Sequence, residues 1–310
     1  MLKELNLKKV KLELKRFKEE FDKEIIDFLN KERPQVILKW IKYYIEAGGK
    51  RIRPFLAYKV IKEYDDPKKY KELLFSLEIY HNSILIIDDI QDNDETRRNR
   101  PSIWKIIGKE QAINIGFFGL LYSIELIKRL KISEEQRKRV LDFFDKVTKK
   151  TVEGQFIDIY LEKNWKKLDK NKILKLYIKS NLLKTAFYLL LPIAASYLIF
   201  NEKIDKKIIK ESLYLGFIFQ LMNDLEDLKE KRSDLKRRLP TLPFILIMNK
   251  ENKELFEKNP EKLIEKIKEK KIFYRIKRLL NKIEKKLELK ITKEVYLIIK
   301  EKINSIFYTF

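Results

Sequence analysis

The chain of 310 residues contains no cysteine and a single histidine, His81. The absence of cysteine excludes disulfide bonds, thiolate metal sites and cysteine nucleophiles. A single histidine excludes metal sites built from several imidazoles, and a catalytic triad would have to use that one ring. Chemistry in this protein must therefore rest on carboxylates, cations, hydroxyls and amides.

Glycine and proline are also scarce, at 7 and 8 residues, whereas 45% of the residues are hydrophobic. A turn-rich β protein is disfavoured by this composition, which favours long helices. Apolar residues recur at helical spacing, for example from Leu2 to Leu29 and from Lys71 to Ile87. We find no alternating strand pattern of useful length and no linker. The sequence therefore predicts one all-α domain over residues 1–310.

The longest apolar run, Ala186–Phe200, is shorter than the roughly 20 residues that span a membrane and contains Pro192 and Ser196. We interpret it as a buried helix. The first residues, Met1–Val10, lack the apolar core of a signal peptide. We therefore expect a cytoplasmic protein without a transmembrane segment.

The formal net charge of +23 raises nucleic acid or a membrane surface as a partner. Lysine is interspersed with glutamate, however, as in Glu261–Lys271, which is typical of solvated helix faces. Acidic residues cluster at positions 88–95 and 223–230 within this basic chain. Local negative charge in basic surroundings suits metal-bound phosphate, so we do not expect a nucleic-acid partner.

An acidic motif follows the apolar run Ile84–Ile87. It consists of three aspartates and then an arginine pair, namely Asp88, Asp89, Asp92, Arg97 and Arg98. If the run is helical, Asp88 and Asp92 lie one turn apart on the same face. Two such carboxylates can share Mg²⁺, which keeps several waters and is often completed by substrate phosphate. Taken alone, the motif is more often a solvated helix end.

The same spacing recurs about 135 positions later in Asn223, Asp224 and Asp227, directly after Gln220. Two acidic triplets of equal spacing, each after an apolar helical run, indicate two walls of one metal site. This recurrence is the strongest argument for function within the chain.

Three further features accompany the acidic motifs. Three cations, Lys50, Arg51 and Arg53, follow the glycine pair of a loop that can hold an anion. His81 lies seven residues before Asp88 on the same helical face, where a core role and a functional role are equally favoured. Gly154 within a helix indicates close approach of another group.

Lys184 and Thr185 lie in the most apolar part of the chain. A lysine in such surroundings must extend its ammonium to the surface or meet an anion.

Together these motifs resemble the trans-isoprenyl diphosphate synthase family, of the farnesyl and geranylgeranyl diphosphate synthase kind. The matching segments follow the family's order: GGKRIRP at Gly48–Pro54, DDIQDNDETRRNRP at Asp88–Pro101, EGQFID at Glu153–Asp158, Lys184 with Thr185, and Gln220 before the second acidic motif. The resemblance implies the isoprenoid synthase fold, an antiparallel helix bundle around a central cavity with both acidic motifs at its mouth. It also implies a homodimer that condenses isopentenyl diphosphate with an allylic diphosphate.

The resemblance also implies residue roles. Two to three Mg²⁺ ions would be held by the six motif positions Asp88, Asp89, Asp92, Asn223, Asp224 and Asp227. The allylic diphosphate would bind Arg97, Lys184, Thr185 and Gln220. Isopentenyl diphosphate would bind Lys50, Arg51, Arg53, His81 and Arg98. Catalysis would rest on Asp88, Asp89, Asp92, Arg97 and Lys184.

Product length is expected to depend on the helix before the first acidic motif, at Tyr80, Ser83 and Ile84. In this family an aromatic ring at position 83 would favour fifteen carbons. Serine at that position, with Tyr80 below it as a floor, favours geranylgeranyl diphosphate with twenty.

Two departures from the family pattern leave alternatives open. Asn223 replaces the usual first aspartate of the second motif, and its amide oxygen can still bind a metal ion. Arg238 and Leu239 replace a usual Gly-Lys pair, so Lys236, Arg237 or Arg238 would have to substitute for the lysine. Two alternative functions are therefore open: the chain is a weakly active or silent subunit of a prenyl synthase, or it is a class I terpene synthase. The GGKRIRP loop argues against the latter, because a cyclase needs no isopentenyl site.

Overall fold

A computed structural model of the protein describes residues 7–230, 237–269 and 272–307. Almost all of these residues are helical, which confirms the all-α prediction. The α-helices in chain order are α1 (Leu7–Lys31), α2 (Gln35–Glu46), α3 (Ile52–Ile61), α4 (Lys71–Asp92), α5 (Ile103–Ile107), α6 (Lys109–Lys128), α7 (Glu134–Asn164), α8 (Lys170–Asn181), α9 (Phe187–Phe200), α10 (Lys206–Glu230), α11 (Leu242–Ile247), α12 (Lys250–Lys258), α13 (Lys262–Glu269), α14 (Ile272–Glu284) and α15 (Lys290–Phe307).

Short irregular elements join some of the helices. Pro67–Tyr70 and Trp165–Lys167 are 3₁₀ turns, and Leu182–Ala186 is a π-helical turn between α8 and α9. Two short strands, β1 (Thr96–Arg97) and β2 (Arg100–Pro101), pair antiparallel. The sequence pattern had not predicted this hairpin, because two-residue strands carry no alternation.

The chain forms two compact units. The N-terminal unit comprises Lys8–Phe143 and Pro192–Lys203, and the C-terminal unit contains Phe144–Leu191 and Ile204–Phe310. The prediction of a single domain over residues 1–310 stays a prediction.

The N-terminal unit is centred on the packing of α4 against α6. Glycines let the two helices approach closely, since a Cβ on Gly119 would lie 1.9 Å from Ser83 Oγ and one on Gly116 would lie 2.5 Å from Ile87 Cδ1. Helix α1 adds an apolar stripe at helical spacing, with Phe17, Phe21 and other side chains buried. Burying each such side chain contributes roughly 1.5–3 kcal/mol.

The C-terminal unit is centred on α10, which packs against α15 and against the π-helical turn. Gly216 makes the second contact possible, because a Cβ there would lie 2.3 Å from Ala186 Cα. Glu211, buried in α10, accepts hydrogen bonds from the backbone N–H groups of Glu288 and Leu289, each at 3.0 Å. This carboxylate satisfies donors at the beginning of α15, which fixes that helix on α10.

Local sequence signals set several helix ends. A capping box begins α7, because Ser133 N–H donates to Gln136 Oε1 at 2.8 Å and Gln136 N–H donates to Ser133 Oγ at 3.2 Å. Gly108, at φ 88°, separates α5 from α6.

One segment, Lys170–Phe200, is long and apolar enough to cross a membrane by length and composition. In the structure 78% of its most apolar stretch is buried inside the protein. The segment therefore packs as a core element, as the sequence predicted for Ala186–Phe200.

Candidate active site

Helix α4 ends at the first acidic motif, where Asn93 takes the left-handed conformation at φ 54°. Asp88 and Asp92 are half-buried and lie on the same face of the last turns, as the helical prediction required. No three acidic or histidine side chains of residues 7–230, 237–269 and 272–307 form a closed metal site. The pair fits a hard divalent cation that keeps most of its coordination for water and phosphate oxygens.

Asp89 lies on another face of α4 and is completely buried. Its Oδ2 accepts a hydrogen bond from the hydroxyl of Tyr44, and its Oδ1 accepts one from Arg97 Nε at 2.8 Å. Burial raises the pKa of Asp89 in spite of these donors. Because both oxygens already bind protein donors, Asp89 is better placed to support Asp88 and Asp92 than to bind a metal ion itself.

Arg97 forms an ion pair with Asp89 through both Nε and Nη2, and a quarter of its side chain is exposed. Burial by itself would lower the pKa of Arg97, but the pair with Asp89 raises it above its ordinary value. The guanidinium therefore stays charged and is held by the carboxylate. Its prediction as an allylic diphosphate ligand remains a prediction.

Arg98 and Asn99 form the turn of the β1–β2 hairpin, and both adopt positive φ angles, 54° and 62°. Such angles match a tight hairpin turn, and asparagine tolerates them well. Arg98 Nη1 donates to the carbonyl oxygen of Tyr44 at 2.8 Å and to that of Gly48. The hairpin is thereby attached to the Gly48–Pro54 loop.

The three cations of the Gly48–Pro54 loop occupy different environments. Lys50 is exposed and Arg53 is half-buried, whereas the side chain of Arg51 is completely buried. Arg51 Nε donates to Asp22 at 2.5 Å, and Nη1 donates to Glu78 at 2.7 Å. Arg51 thus holds the loop, whereas the sequence had predicted a contact with substrate.

His81 lies beside Arg53, with Arg53 Nη1 3.3 Å from His81 Nε2. Burial and the guanidinium of Arg53 lower the pKa of His81 well below its ordinary value of 6.5. Neutral imidazole therefore accepts from the guanidinium at Nε2. His81 is nearly two turns from Asp88 and lies within about 20° of it around the helix, which keeps both on the accessible face.

The three residues expected to set product length have different surroundings. Tyr80 and Ser83 are completely buried, and Ser83 Oγ donates to Ile79 O at 2.8 Å. Ser83 lies about 140° around the helix from Asp88, on the side packed against Gly119. Ile84, half-buried, lies on the accessible face one turn below Asp88.

The second acidic motif lies on α10 of the C-terminal unit and is more deeply buried than the first. Asn223 is half-buried and Asp227 is 6% exposed, one turn apart on one face. Asp224 is buried, and its Oδ2 accepts hydrogen bonds from the hydroxyl of Tyr177 at 2.5 Å and from the N–H of Leu242 at 3.1 Å. Asp224 therefore anchors its motif as Asp89 does.

The tyrosines were missed by the sequence reading. Burial and the neighbouring carboxylate of Asp224 raise the pKa of Tyr177 well above its ordinary value. Burial and the neighbouring carboxylate of Asp89 likewise raise the pKa of Tyr44. Each tyrosine is a donor under all ordinary conditions. No local motif marks them, since they precede their aspartates by more than forty residues.

Lys184 and Thr185 lie in the π-helical turn, a distortion often found at functional sites. Lys184 Nζ donates to Asp158 Oδ2 at 3.1 Å, which confirms that this lysine meets an anion. A Cβ on Gly154 would lie 2.4 Å from Lys184 N, which confirms the predicted close approach.

Thr185 is connected to the second acidic motif by hydrogen bonds. Thr185 Oγ1 donates to Gln220 Oε1 at 2.8 Å, and Gln220 Nε2 donates to Asp224 Oδ1 at 2.9 Å. The π-helical turn and the acidic turn of α10 are therefore held as one polar cluster, the Lys184 cluster, formed by Asp158, Lys184, Thr185, Gln220 and Asp224.

The loop after α10 contains the second departure from the family pattern. Arg237 Nη1 lies 3.6 Å from Glu162 Oε2, and Arg238 is exposed with φ 59°. Leu239 is 9% exposed and packs in the core. Of the candidate substitute cations, Lys236 lies outside the described residues.

The chain is similar in sequence to a family of known proteins. A family model described as polyprenyl synthetase matches residues 34–277. A short chain isoprenyl diphosphate synthase of Methanocaldococcus jannaschii is 30% identical over 220 residues, 67% of this chain and 64% of that protein. A geranylgeranyl pyrophosphate synthase of Geoglobus acetivorans is 25% identical over 213 residues, 68% of this chain and 65% of that protein. The chain thus spans slightly less than two thirds of the length of these relatives.

Solved structures share the fold over nearly the whole chain. Geranylgeranyl pyrophosphate synthetase from Pyrococcus horikoshii superposes with a TM-score of 0.78 at 23% identity, covering 96% of this chain and 98% of that one. A polyprenyl synthase from Caulobacter crescentus, solved with calcium and isoprenyl diphosphate, gives 0.75 at 18% identity, with 97% and 98% covered. The fold is the all-α isoprenoid synthase fold.

Proposed function

The chain belongs to the polyprenyl synthetase family, and we propose that it catalyses the Mg²⁺-dependent head-to-tail condensation of isopentenyl diphosphate with an allylic diphosphate. One observation carries this proposal. The chain has two acidic motifs of equal spacing, and each motif is accompanied by its own cationic side chains. The first motif has Asp88 and Asp92 half-buried and Asp89 buried, whereas the second has Asn223 half-buried and both Asp224 and Asp227 buried. The solved Caulobacter crescentus relative, with calcium and isoprenyl diphosphate, supports a divalent cation and this class of ligand.

The reaction begins when the allylic carbon–oxygen bond breaks and diphosphate leaves. A bound Mg²⁺ supplies stabilisation of the negative charge that develops on the leaving oxygens. We assign Asp88 and Asp92 in the first motif, and Asn223 and Asp227 in the second, as the side chains of each motif that would bind Mg²⁺. Asp89 and Asp224 hold those ligands in place from buried positions.

Fixed cations share the stabilisation of the leaving group. In the Lys184 cluster, the ammonium of Lys184 faces the allylic diphosphate in our assignment, and Asp158 keeps it in position. The hydroxyl of Thr185 donates to Gln220, which ties the π-helical turn to α10. Such preorganised donors lower the barrier because they need no reorganisation as charge develops.

Isopentenyl diphosphate is assigned to Lys50, Arg53 and His81. Its double bond attacks the allylic cation, a carbon–carbon bond forms, and a proton leaves the neighbouring carbon. The departing diphosphate can accept this proton, so the protein needs no base of its own. Neutral His81 accepts the guanidinium of Arg53 at Nε2 and so holds that cation in place without adding a charge of its own.

We further propose geranylgeranyl diphosphate, with twenty carbons, as the product. Several relatives of this chain carry that product in their names, although a farnesyl diphosphate synthase from Geobacillus stearothermophilus is 29% identical. Tyr80 is the residue proposed to close the chain cavity. Tyr80→Ala should lengthen the product, with Tyr70→Ala as the control, and an unchanged product spectrum would remove Tyr80 from this role.

A homodimer is proposed from two exposed apolar stripes. Ile113, Phe117 and Leu121 recur every fourth residue on α6, and the last two are 60% and 68% exposed. Val152, Phe156 and Tyr160 repeat this pattern on α7. Exposed apolar stripes of this kind mark interfaces. Phe117→Glu should yield monomers in sedimentation, whereas Val36→Glu, at an isolated exposed position, should not.

The decisive experiment for the activity is a Mg²⁺-dependent assay with labelled isopentenyl diphosphate and each allylic primer. Incorporation should be lost in Asp88→Ala and retained in the surface control Asp145→Ala. Incorporation that survives Asp88→Ala would refute the mechanism. No incorporation by the unaltered protein would favour a silent subunit, and a cyclic product made without isopentenyl diphosphate would favour a class I terpene synthase.

A further inference from the structure

A surface groove in the C-terminal unit lies among the π-helical turn, α10 and α14 and has a volume of about 460 Å³. This volume is within the range of roughly 300–1,000 Å³ that is usual for small-molecule sites. Its apolar wall includes Leu182, Leu213, Phe217 and Leu279. None of the residues proposed for the reaction lines it.

The apolar wall is accessible rather than closed by packing. Leu182 is 39% exposed, and Ile178, one turn before it in α8, is 46% exposed. Leu213, Phe217 and Leu279 are half-buried. Contiguous accessible side chains of this size mark binding surfaces more often than single exposed leucines do.

Three lysines also line the groove: Lys210 on α10, Lys282 in the last turn of α14, and Lys286 just after it. All three are exposed, and Lys286 Nζ lies 5.4 Å from the ring centroid of Tyr214, which lines the groove too. The groove therefore joins an apolar floor to positive charge at its edge.

We propose that this groove binds a single-chain anionic amphiphile, such as an isoprenoid phosphate or a long-chain fatty acid. The chain would lie on the apolar wall and the anionic head would meet Lys282 and Lys286. A neutral ligand would leave the lysines unused, and a nucleic acid would leave the apolar wall unused. The lining of nine residues is also small beside the roughly 20–30 residues per side of a stable protein interface.

The test is a titration of the purified full chain with a fluorescent long-chain fatty acid, in the presence of excess Mg²⁺ and inorganic pyrophosphate to occupy the diphosphate sites. Lys282→Glu combined with Lys286→Glu should weaken binding about tenfold or more, as expected when charge-assisted contacts are lost. Lys285→Glu is the matched control, because Lys285 is an exposed neighbour outside the groove lining. It should leave affinity unchanged.

A second variant tests the apolar wall. Leu279→Asp should weaken the same binding without changing the thermal unfolding midpoint by more than a few degrees, because Leu279 is half-buried at the surface. Equal weakening in Lys285→Glu, unchanged binding in both groove variants, or a change of oligomeric state in place of affinity would overturn the proposal. The last result would assign the groove to a second copy of the chain.

Competition then distinguishes the two sources of the ligand. Displacement of the fluorescent probe by geranylgeranyl diphosphate, but not by geranylgeraniol, would identify an isoprenoid phosphate. Displacement by unlabelled fatty acid alone would identify a carboxylate lipid. The proposal is independent of the proposed activity, because binding is measured directly and is expected to persist in Asp88→Ala.

Discussion

The hydroxyl of Tyr44, in α2, donates a hydrogen bond to the buried carboxylate of Asp89, in the last turns of α4. The same hydroxyl oxygen accepts the N–H of Ile103 at 3.2 Å, at the beginning of α5. One side chain therefore joins three helices at the point where the first acidic motif ends. The motif's accessible carboxylates, Asp88 and Asp92, depend on this anchor for their position.

Tyr44→Phe should lower the free energy of unfolding by about 1–3 kcal/mol, because Asp89 would remain buried with one donor lost. The matched control is Tyr43→Phe, whose hydroxyl donates to the exposed carbonyl of Pro101 at 3.0 Å and should cost less than about 0.5 kcal/mol. Urea unfolding measures both. Equal losses in the two variants would mean that Tyr44 is an ordinary surface hydrogen-bond donor.

The aspartates of the first motif should separate into two classes. Asp88→Asn and Asp92→Asn should lose most activity and raise the Mg²⁺ concentration needed, with little change in stability, because both side chains are half-buried at the surface. Asp89→Asn should mainly destabilise the fold, since it removes the buried carboxylate that pairs with Arg97 and leaves only Asp94, at 3.4 Å, as the partner of the guanidinium. Kinetics against Mg²⁺ and urea unfolding on all three variants test this, and the same profile for each would contradict it.

Arg51 and Lys50 should also differ, although they are neighbours. Arg51→Met should destabilise the protein by about 3–5 kcal/mol, because it leaves Glu78, 2% exposed at its side chain, as an unpaired buried charge. Lys50→Ala should change stability by less than about 0.5 kcal/mol and should raise KM for isopentenyl diphosphate. Calorimetry and steady-state kinetics separate the two effects. A normal unfolding temperature for Arg51→Met would show that the loop does not need this arginine.

His81 offers a direct measurement, because the only histidine of the chain gives a single set of imidazole signals in NMR spectra. Since burial and Arg53 lower its pKa well below 6.5, these signals should not titrate near that pH in the free protein. The unfolded chain binds a proton below about pH 6.5 and the folded chain does not. The free energy of unfolding should therefore fall as pH decreases below 6.5 and should gain nothing from this group above it. His81→Gln should remove that slope, and titration of His81 near 6.5 would refute the buried assignment.

Asn223→Asp should lower the Mg²⁺ concentration required for activity, because a carboxylate replaces a neutral amide oxygen beside Asp227. Asn171→Asp is the control, since it adds a carboxylate at an exposed position in α8 that is not part of either acidic motif. An unchanged metal requirement in Asn223→Asp would show that residue 223 is not a ligand.

Several features of the site followed from sequence because they are local or depend on a single helix. The capping box at Ser133 is set by residues three apart. The shared face of Asp88 and Asp92 follows from helical geometry alone. The anion near Lys184 and the close approach at Gly154 were predictable in kind, because a buried ammonium requires an anion and a glycine within a helix indicates tight packing.

The sequence by itself thus determined the all-α class, most of the helices and the residue types of the site. The tertiary structure decided which residues hold the site together. Tyr44 and Asp89 are 45 positions apart, and Tyr177 and Asp224 are 47 apart. Helical periodicity tells which face of a helix is buried, but the partner of a buried polar group depends on which helix packs there. For the same reason the contact between Arg51 and Glu78 was not predicted from sequence. The sequence neighbours of a cation do not show whether its side chain points into the core or toward substrate.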